Sequence, residues 1–269
     1  MMNWKRLSSN VKIVPLGQVG YLFECDGTVI AIDPYLTDAV AEKHGPTFHR
    51  QIPAPIASED LPAVAALLLT HAHDDHTDPG SIEMIAATNS DLRVFAPKPV
   101  RRTLRDATNL SPELLADAFG DWVKLSANVS ILQVPAAHPE PVEFEDGTWA
   151  ASGFLLQCGE TTIYHAGDTS VHEVVIDAVR RSNVRLDFAF LPVNENNYFR
   201  TKDGIVGNMT VREAFGLAET ISAKTLVPTH WDLFAGNGLY REELDLLYRN
   251  LQPPFTVRWF PVEDRGEDQ

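Results

Sequence analysis

Residues 70–76 read Thr-His-Ala-His-Asp-Asp-His, which places His71, His73, Asp75 and His76 in the pattern H-x-H-x-D-H. Neutral imidazole and carboxylate are the side chains that Zn, Mn and Fe accept as ligands. An extended His71-x-His73 spacing puts both rings on one side of the chain. A turn after them brings Asp75 and His76 round to the same space. Three further ligand-type residues each follow a short apolar run: His138 after 129–134, Asp168 after 161–164 and His230 after 225–227. The candidate metal ligands are therefore His71, His73, Asp75, His76, His138, Asp168 and His230, which are enough for two divalent ions. Zn and Mn are the expected metals, with Fe as an alternative.

Two such ions carry +4, and Asp75 and Asp168 return −2, so the site would hold about +2 before any hydroxide binds. Water bridging the ions would have its pKa lowered to about 7 and supply hydroxide at neutral pH. The second ion would polarise a substrate oxygen. Asp75 and His230 are the candidate catalytic residues, with Asp75 orienting the water. This chemistry suits hydrolysis of a lactone, amide, thioester or phosphodiester. Asn194, Arg200, Lys202 and Asn208 lie in a polar stretch, 194–208, and are the candidate substrate-binding residues. His165 is read as a packed or supporting imidazole beside Asp168. His44, His49 and His172 are read as loop or surface residues.

The elements that must position these groups alternate along the chain. Strands are expected over 11–16, 21–25, 28–32, 63–69, 93–95, 129–134, 153–156, 161–164, 186–191, 225–227 and 255–260. Helices are expected over 79–87, 99–106, 112–119, 171–181, 210–221 and 241–249. Thr77 or Asp78 caps the first of these, and a Thr210/Glu213 capping box opens the fifth. Residues 36–60 read as a long loop of the functional kind, with room for a short helix. Residues 17–20 read as a turn. The charged tail 263–269 is expected to fray. The second half repeats the strand and helix pattern of the first, so the fold class is α/β, with two mixed sheets and helices outside them.

These motifs resemble the metallo-β-lactamase fold superfamily. The resemblance implies an αββα sandwich with helices on the outer faces, formed by 1–269 as a single domain. It further implies that His71, His73 and His138 bind one metal, that Asp75, His76 and His230 bind the second, and that Asp168 bridges both. The segments 164–169, 191–196, 207–210 and 227–232 are similar to the ascorbate-6-phosphate lactonase branch, which implies a phosphorylated sugar lactone and manganese. The leading expectation is a metal-dependent hydrolase of a small anionic substrate, with homo-oligomers expected of lactonase-like proteins. The alternatives are a small-molecule phosphodiesterase and a non-catalytic metal- or ligand-binding protein.

The composition narrows the partners. The 269 residues include 22 Lys and Arg against 37 Asp and Glu, a formal charge of −15. An acidic chain is a poor match for a nucleic-acid polymer or an anionic membrane surface. No apolar stretch follows the polar start as a targeting segment would. Cys25 and Cys158 are the only cysteines, so no disulfide framework is expected, and a reducing cytoplasm is the expected location.

Overall fold

Alternating apolar runs too short for helices dictate strands, and most of these are apolar on both sides. In the computed structural model, which describes residues 2–57, 60–89 and 91–262, they form two sheets of seven strands each. In the first sheet β1 (Lys5–Arg6), β2 (Val11–Gly17), β3 (Gly20–Cys25) and β4 (Thr28–Ile32) pair antiparallel in order. β5 (Ala66–Leu68), β6 (Arg93–Phe95) and β7 (Leu115–Ala116) then add in parallel.

The second sheet repeats this plan. β8 (Val123–Lys124), β9 (Val129–Pro135), β10 (Ser152–Cys158) and β11 (Thr161–His165) are antiparallel. β12 (Phe188–Pro192), β13 (Thr225–Thr229) and β14 (Thr256–Val257) follow in parallel. The parallel strands need crossovers, and helices supply most of them.

Side-chain alternation makes the layers. Ile30, Ile32, Ala66 and Leu68 point inward and pack with Ile131, Phe154, Leu156, Ile163, Phe190 and Val227 of the other sheet. Ala31 and Leu67 point outward, against α2 (Pro79–Ala87) and α3 (Lys98–Ala107) through Ile82, Ile85, Val100 and Leu104. Leu155, Tyr164 and Leu226 likewise meet α4 (Glu173–Arg181), α6 (Val211–Thr220) and α7 (Arg241–Leu251). Burial on both faces explains why these strands read as continuous apolar runs. The result is an αββα sandwich whose two halves share one central core.

Several local expectations need correcting. The helix expected over 112–119 is a 3-10 turn, Pro112–Leu114, followed by β7. Pairing with β6 overrides the helical start signal there. The strand expected over 255–260 shortens to β14. The stretch 36–60 contains α1 (Ala39–His44) and a 3-10 turn, Pro46–Phe48. The stretch 194–208 contains α5 (Tyr198–Lys202), capped by Asn197. Cys25 and Cys158, expected to be unpaired, form a disulfide that joins β3 of one sheet to β10 of the other. Because 133 residues separate them, only the sandwich itself reveals the pairing. No helix among the described residues is long and apolar enough to cross a membrane. The tail 263–269 lies outside the described residues.

Candidate metal centre

The ligand motif begins where β5 ends. Thr70 is locked by Asp33, whose Oδ1 accepts from the Thr70 N–H at 2.8 Å and whose Oδ2 accepts from the Thr70 hydroxyl. The chain then turns sharply. The His76 and Thr77 N–H groups both donate to the His73 carbonyl, and the Thr77 hydroxyl donates to the His71 carbonyl at 2.7 Å. Asp78 caps α2 through the N–H groups of Gly80 and Ser81. This turn folds His71, His73, Asp75 and His76 onto one side.

The other three candidates arrive from the second sheet. His138 follows β9, Asp168 follows β11 and His230 follows β13. The first two loops are tied together: Ser170 N–H donates to the Ala137 carbonyl at 2.7 Å, and Ala137 N–H donates to the Thr169 hydroxyl at 3.0 Å. Gly167 adopts φ +61°, and a Cβ there would lie 2.7 Å from Thr70 Cβ. Only glycine lets Asp168 approach the first-sheet loop this closely.

All seven side chains converge. Ligand-type atoms of His71, His73 and His138 lie within 4.8 Å of one another, as do those of Asp75, His76 and His230. His73 Nδ1 and His138 Nε2 face each other at 3.2 Å. Asp168 stands between the two trios. Its carboxylate is 3.6 Å from His138 Nε2, 3.6 Å from His76 Nε2 and 3.4 Å from His230 Nε2. Asp75 Oδ2 is 3.7 Å from the Nε2 atoms of both His76 and His230. Four ligands held tetrahedrally at about 2.1 Å from an ion are separated by about 3.4 Å, so this second group has the dimensions of a coordination shell.

Hydrogen bonding supports the same reading. His71 Nε2, His76 Nε2 and Asp168 Oδ1 are buried and have no hydrogen-bond partner among the described residues. Buried polar atoms are rarely left unpaired, and lone pairs aimed at a shared cation would satisfy all three. Electrostatics agrees. Burial, followed by the neighbouring imidazoles, pushes His71 well below the ordinary imidazole range. Burial also lowers His73, and it brings His138 to about 4. These rings are neutral at pH 7 and present lone pairs. Burial would also raise Asp168, but His230 and His76 outweigh it and keep the group a carboxylate.

The remaining candidates separate from this cluster. Asn194 and Asn208 are buried and bonded to each other, with the Asn194 amide donating onward to Asn237. Of these three, Asn237 is the one that lines the cavity in front of the cluster. The Arg200 guanidinium is held by the carbonyls of Asn194, Glu195 and Gly238 at 2.5–2.8 Å, so it braces its own loop. Lys202 is exposed on α5, outside the cavity lining, whereas Asp203, Gly204, Ile205 and Val206 form one wall of it.

His165 is fully buried and within 2.8 Å of the Val19 carbonyl through Nε2, as expected of a packed imidazole. His172 caps α4 through the Val174 N–H. His44, read as a loop or surface residue, lies 2.7 Å from Asp74 at the cavity rim.

Two contributors escape a reading of the sequence. Asp33, which looks like the end of a strand, sits 2.8 Å from His76 Nδ1. Gln18, in the 17–20 turn, reaches Asp75. Both have positive φ, as does His230. Non-glycine residues in this region concentrate at functional sites.

Residues 32–231 match the family described as Beta-lactamase superfamily domain. The chain belongs to that superfamily. The matched stretch of this Beta-lactamase superfamily domain runs from the end of β4 to just beyond His230, and so contains all seven ligand candidates. A UPF0173 metal-dependent hydrolase of Pyrococcus abyssi is 28% identical over 82% of the chain and 85% of its own length. An N-acyl-phosphatidylethanolamine-hydrolyzing phospholipase D of Caenorhabditis elegans is 24% identical over 81% of the chain and 63% of its own length. The metallo-beta-lactamase fold protein YhfI of Bacillus subtilis superposes with a TM-score of 0.63 at 15% identity, covering 94% of this chain and 97% of that one. The fold is the metallo-β-lactamase sandwich, and the chain is a metal-dependent hydrolase of this superfamily.

Proposed function

We propose that the protein is a two-ion hydrolase acting on a small ester or lactone whose body is uncharged and partly apolar. The observation that carries this reading is the pair of ligand trios flanking Asp168. His71, His73 and His138 would hold one ion, Asp75, His76 and His230 the other, with Asp168 between them. Divalent ions there would acidify a bound water and polarise the substrate carbonyl.

The protein's own groups divide the remaining work. His73, Asp75, Asp168 and His230 line the cavity and are the side chains a substrate meets. Asp75 stays ionised: burial raises its pKa, but His76 and His230 outweigh that and leave it lowered. As a carboxylate it can orient the attacking water, accept its proton and pass that proton to the departing oxygen. His71 and His76, deeply buried, have no route to the substrate and serve to hold position.

The cavity of about 610 Å³ limits the substrate. Val40, Phe48, Ile205, Val206 and Phe234 make an apolar side, while Lys43, His44, Asp74 and Asp203 make a charged rim. Lys43 Nζ is already 2.8–2.9 Å from both Asp74 oxygens. With Arg200 held by carbonyls, the rim offers no free cation for a sugar phosphate among the described residues. An anionic group on the substrate would therefore sit on the ions themselves.

A second reading, a small phosphodiester, is favoured by the Caenorhabditis elegans relative, which by its name hydrolyses a phospholipid. Turnover of a panel of aliphatic lactones, aryl esters and one generic phosphodiester, with ion content measured on the same preparation, separates the readings. Two ions per chain with lactone or ester turnover supports the first. Exclusive phosphodiester turnover replaces it with the second. Full turnover after complete ion removal overturns both.

A further inference from the structure

Gln18 has a conformation and a set of contacts that a simple turn does not need. It adopts φ +55° and is only 2% exposed. Its backbone holds the His230 loop, the carbonyl accepting from the His230 N–H at 2.8 Å. The side-chain amide then ends against the second trio. The atom placed as Nε2 is 2.8 Å from Asp75 Oδ2 and 3.2 Å from His230 Nε2. The other end, Oε1, is buried with no hydrogen-bond partner among the described residues.

As an N–H donor, this amide suits the site only while Asp75 and His230 have lone pairs to spare. Both lone pairs converge on the place the second ion would occupy. An amide NH2 has no acceptor capacity, so beside a divalent cation it would be repelled. The two ends of an amide exchange by a half-turn of the terminal torsion, and their assignment follows the surrounding hydrogen bonds. The half-turn replaces the repelled donor by the unpartnered Oε1, a neutral oxygen of the kind that hard divalent cations take as a ligand.

The spacing fits as well. Two ligands at right angles, each about 2.1 Å from an ion, stand about 3.0 Å apart. The amide's 2.8 and 3.2 Å contacts bracket that value, whereas the carboxylates of Asp75 and Asp168 stand at the wider 3.4–3.7 Å from the His76 and His230 rings.

We infer that Gln18, through Oε1, is an additional ligand of the second ion, raising its coordination above four. This rests on the two-ion reading above. An additional neutral oxygen shifts that position away from closed tetrahedral zinc and towards ions that favour five or six ligands, such as manganese or iron.

The test compares wild type, Q18A and Q18E by calorimetric titration of the ion-free full chain with Mn²⁺, and by the visible spectrum after loading with Co²⁺. In wild type we expect two binding events. In Q18A the first event should be unchanged and the second weakened about tenfold or more. The cobalt band should intensify as the second ion approaches four-coordination. In Q18E an anionic oxygen at the same place should tighten the second event.

Q18A and Q18E that both bind two ions with wild-type affinity and an unaltered cobalt band overturn the inference while leaving the two-ion reading intact. A wild type that takes up one ion overturns both. If Q18A does not fold, Q18E decides alone, since unchanged or weaker second binding there also overturns the inference.

Discussion

Asp33 Oδ2 lies 2.8 Å from His76 Nδ1, and neither side chain is exposed to solvent. One carboxylate thus performs two tasks: it fixes the Thr70 turn that starts the ligand motif, and it sets the ring of His76. With Nδ1 engaged, Nε2 is the atom left to face Asp75 and Asp168. Burial opposes charging of His76, but Asp168, Asp75 and Asp33 outweigh it and raise its pKa well above the ordinary value in the ion-free protein.

Replacing this carboxylate should loosen the ion rather than abolish the fold. D33N keeps the shape but loses the charge that orients His76. Affinity for the ion of the Asp75, His76 and His230 trio should fall about 10–100-fold, read by competition with a chromophoric chelator. D33A also strands the Thr70 N–H and should cost about 3–5 kcal/mol in urea unfolding. Wild-type affinity in D33N would show that His76 orients itself.

The close approach of Gly167 to Thr70 predicts a second sensitive position. In G167A the new methyl meets Thr70 Cβ and Cγ2 at 2.7 Å, and Asp33 prevents Thr70 from yielding. Overpacking of this kind costs about 1–3 kcal/mol, and the left-handed backbone adds to it. The melting midpoint should drop, and ion occupancy should drop with it because Asp168 is the next residue. A variant that melts and binds like wild type would refute this account of the glycine.

Acid should destabilise the ion-free protein from near neutrality downward. In the unfolded chain imidazoles take up protons below about 6.5. Folded His138 does not do so until about 4, and burial lowers His71, His73 and His165 as well. Between those pH values the unfolded state binds more protons, so stability falls as pH falls. His76 opposes this, because its raised pKa gives stability that is lost as pH rises. Asp232, whose carboxyl is pushed up to about 6 by burial, opposes it as well, so four groups against two predict urea midpoints that decline from about pH 6.5 to about pH 4. A flat or rising series would contradict the assignment of neutral imidazoles. Bound ions should be released over the same range, since proton and ion compete for one lone pair.

The disulfide should matter for stability and little for ion binding. Cys25 is next to the turn into β4, and Cys158 is next to the turn into β11. The ligands cluster beyond the opposite ends of those strands. Breaking a long-range cross-link of this kind costs about 2–4 kcal/mol. C158S, or the reduced wild type, should therefore unfold at lower urea with ion stoichiometry intact. Loss of ions on reduction would mean that the two ends of the sandwich are coupled.

The layout of the site is legible in the sequence to the extent that its signals are local. The H-x-H-x-D-H motif declares itself by residue type and spacing. His138, Asp168 and His230 stand out because each closes an apolar run that can only be a buried strand. Asp33 and Gln18 give no such signal. Their partners lie 43 and 57 residues away in the chain, and one carboxylate or amide after a strand looks like any turn residue. Arg200 shows the converse. Its charge and its Asn-rich setting suggest a substrate contact, but the carbonyls of Asn194, Glu195 and Gly238 claim it once the loop folds. The segment 112–119 carries a helix start signal that the free edge of β6 overrides.

The division of the ligand set between two repeated half-sandwiches has a consequence for how the protein is made. His71, His73, Asp75 and His76 leave the ribosome well before their partners, and His230 comes only after β13. A nascent chain that ends before β13 carries the His71, His73 and His138 trio, Asp168, Asp75 and His76, but leaves the second trio without His230. On the two-ion reading, the second trio would be complete only once residue 230 has been made, and chains cut short before it would be unable to complete their cofactor complement.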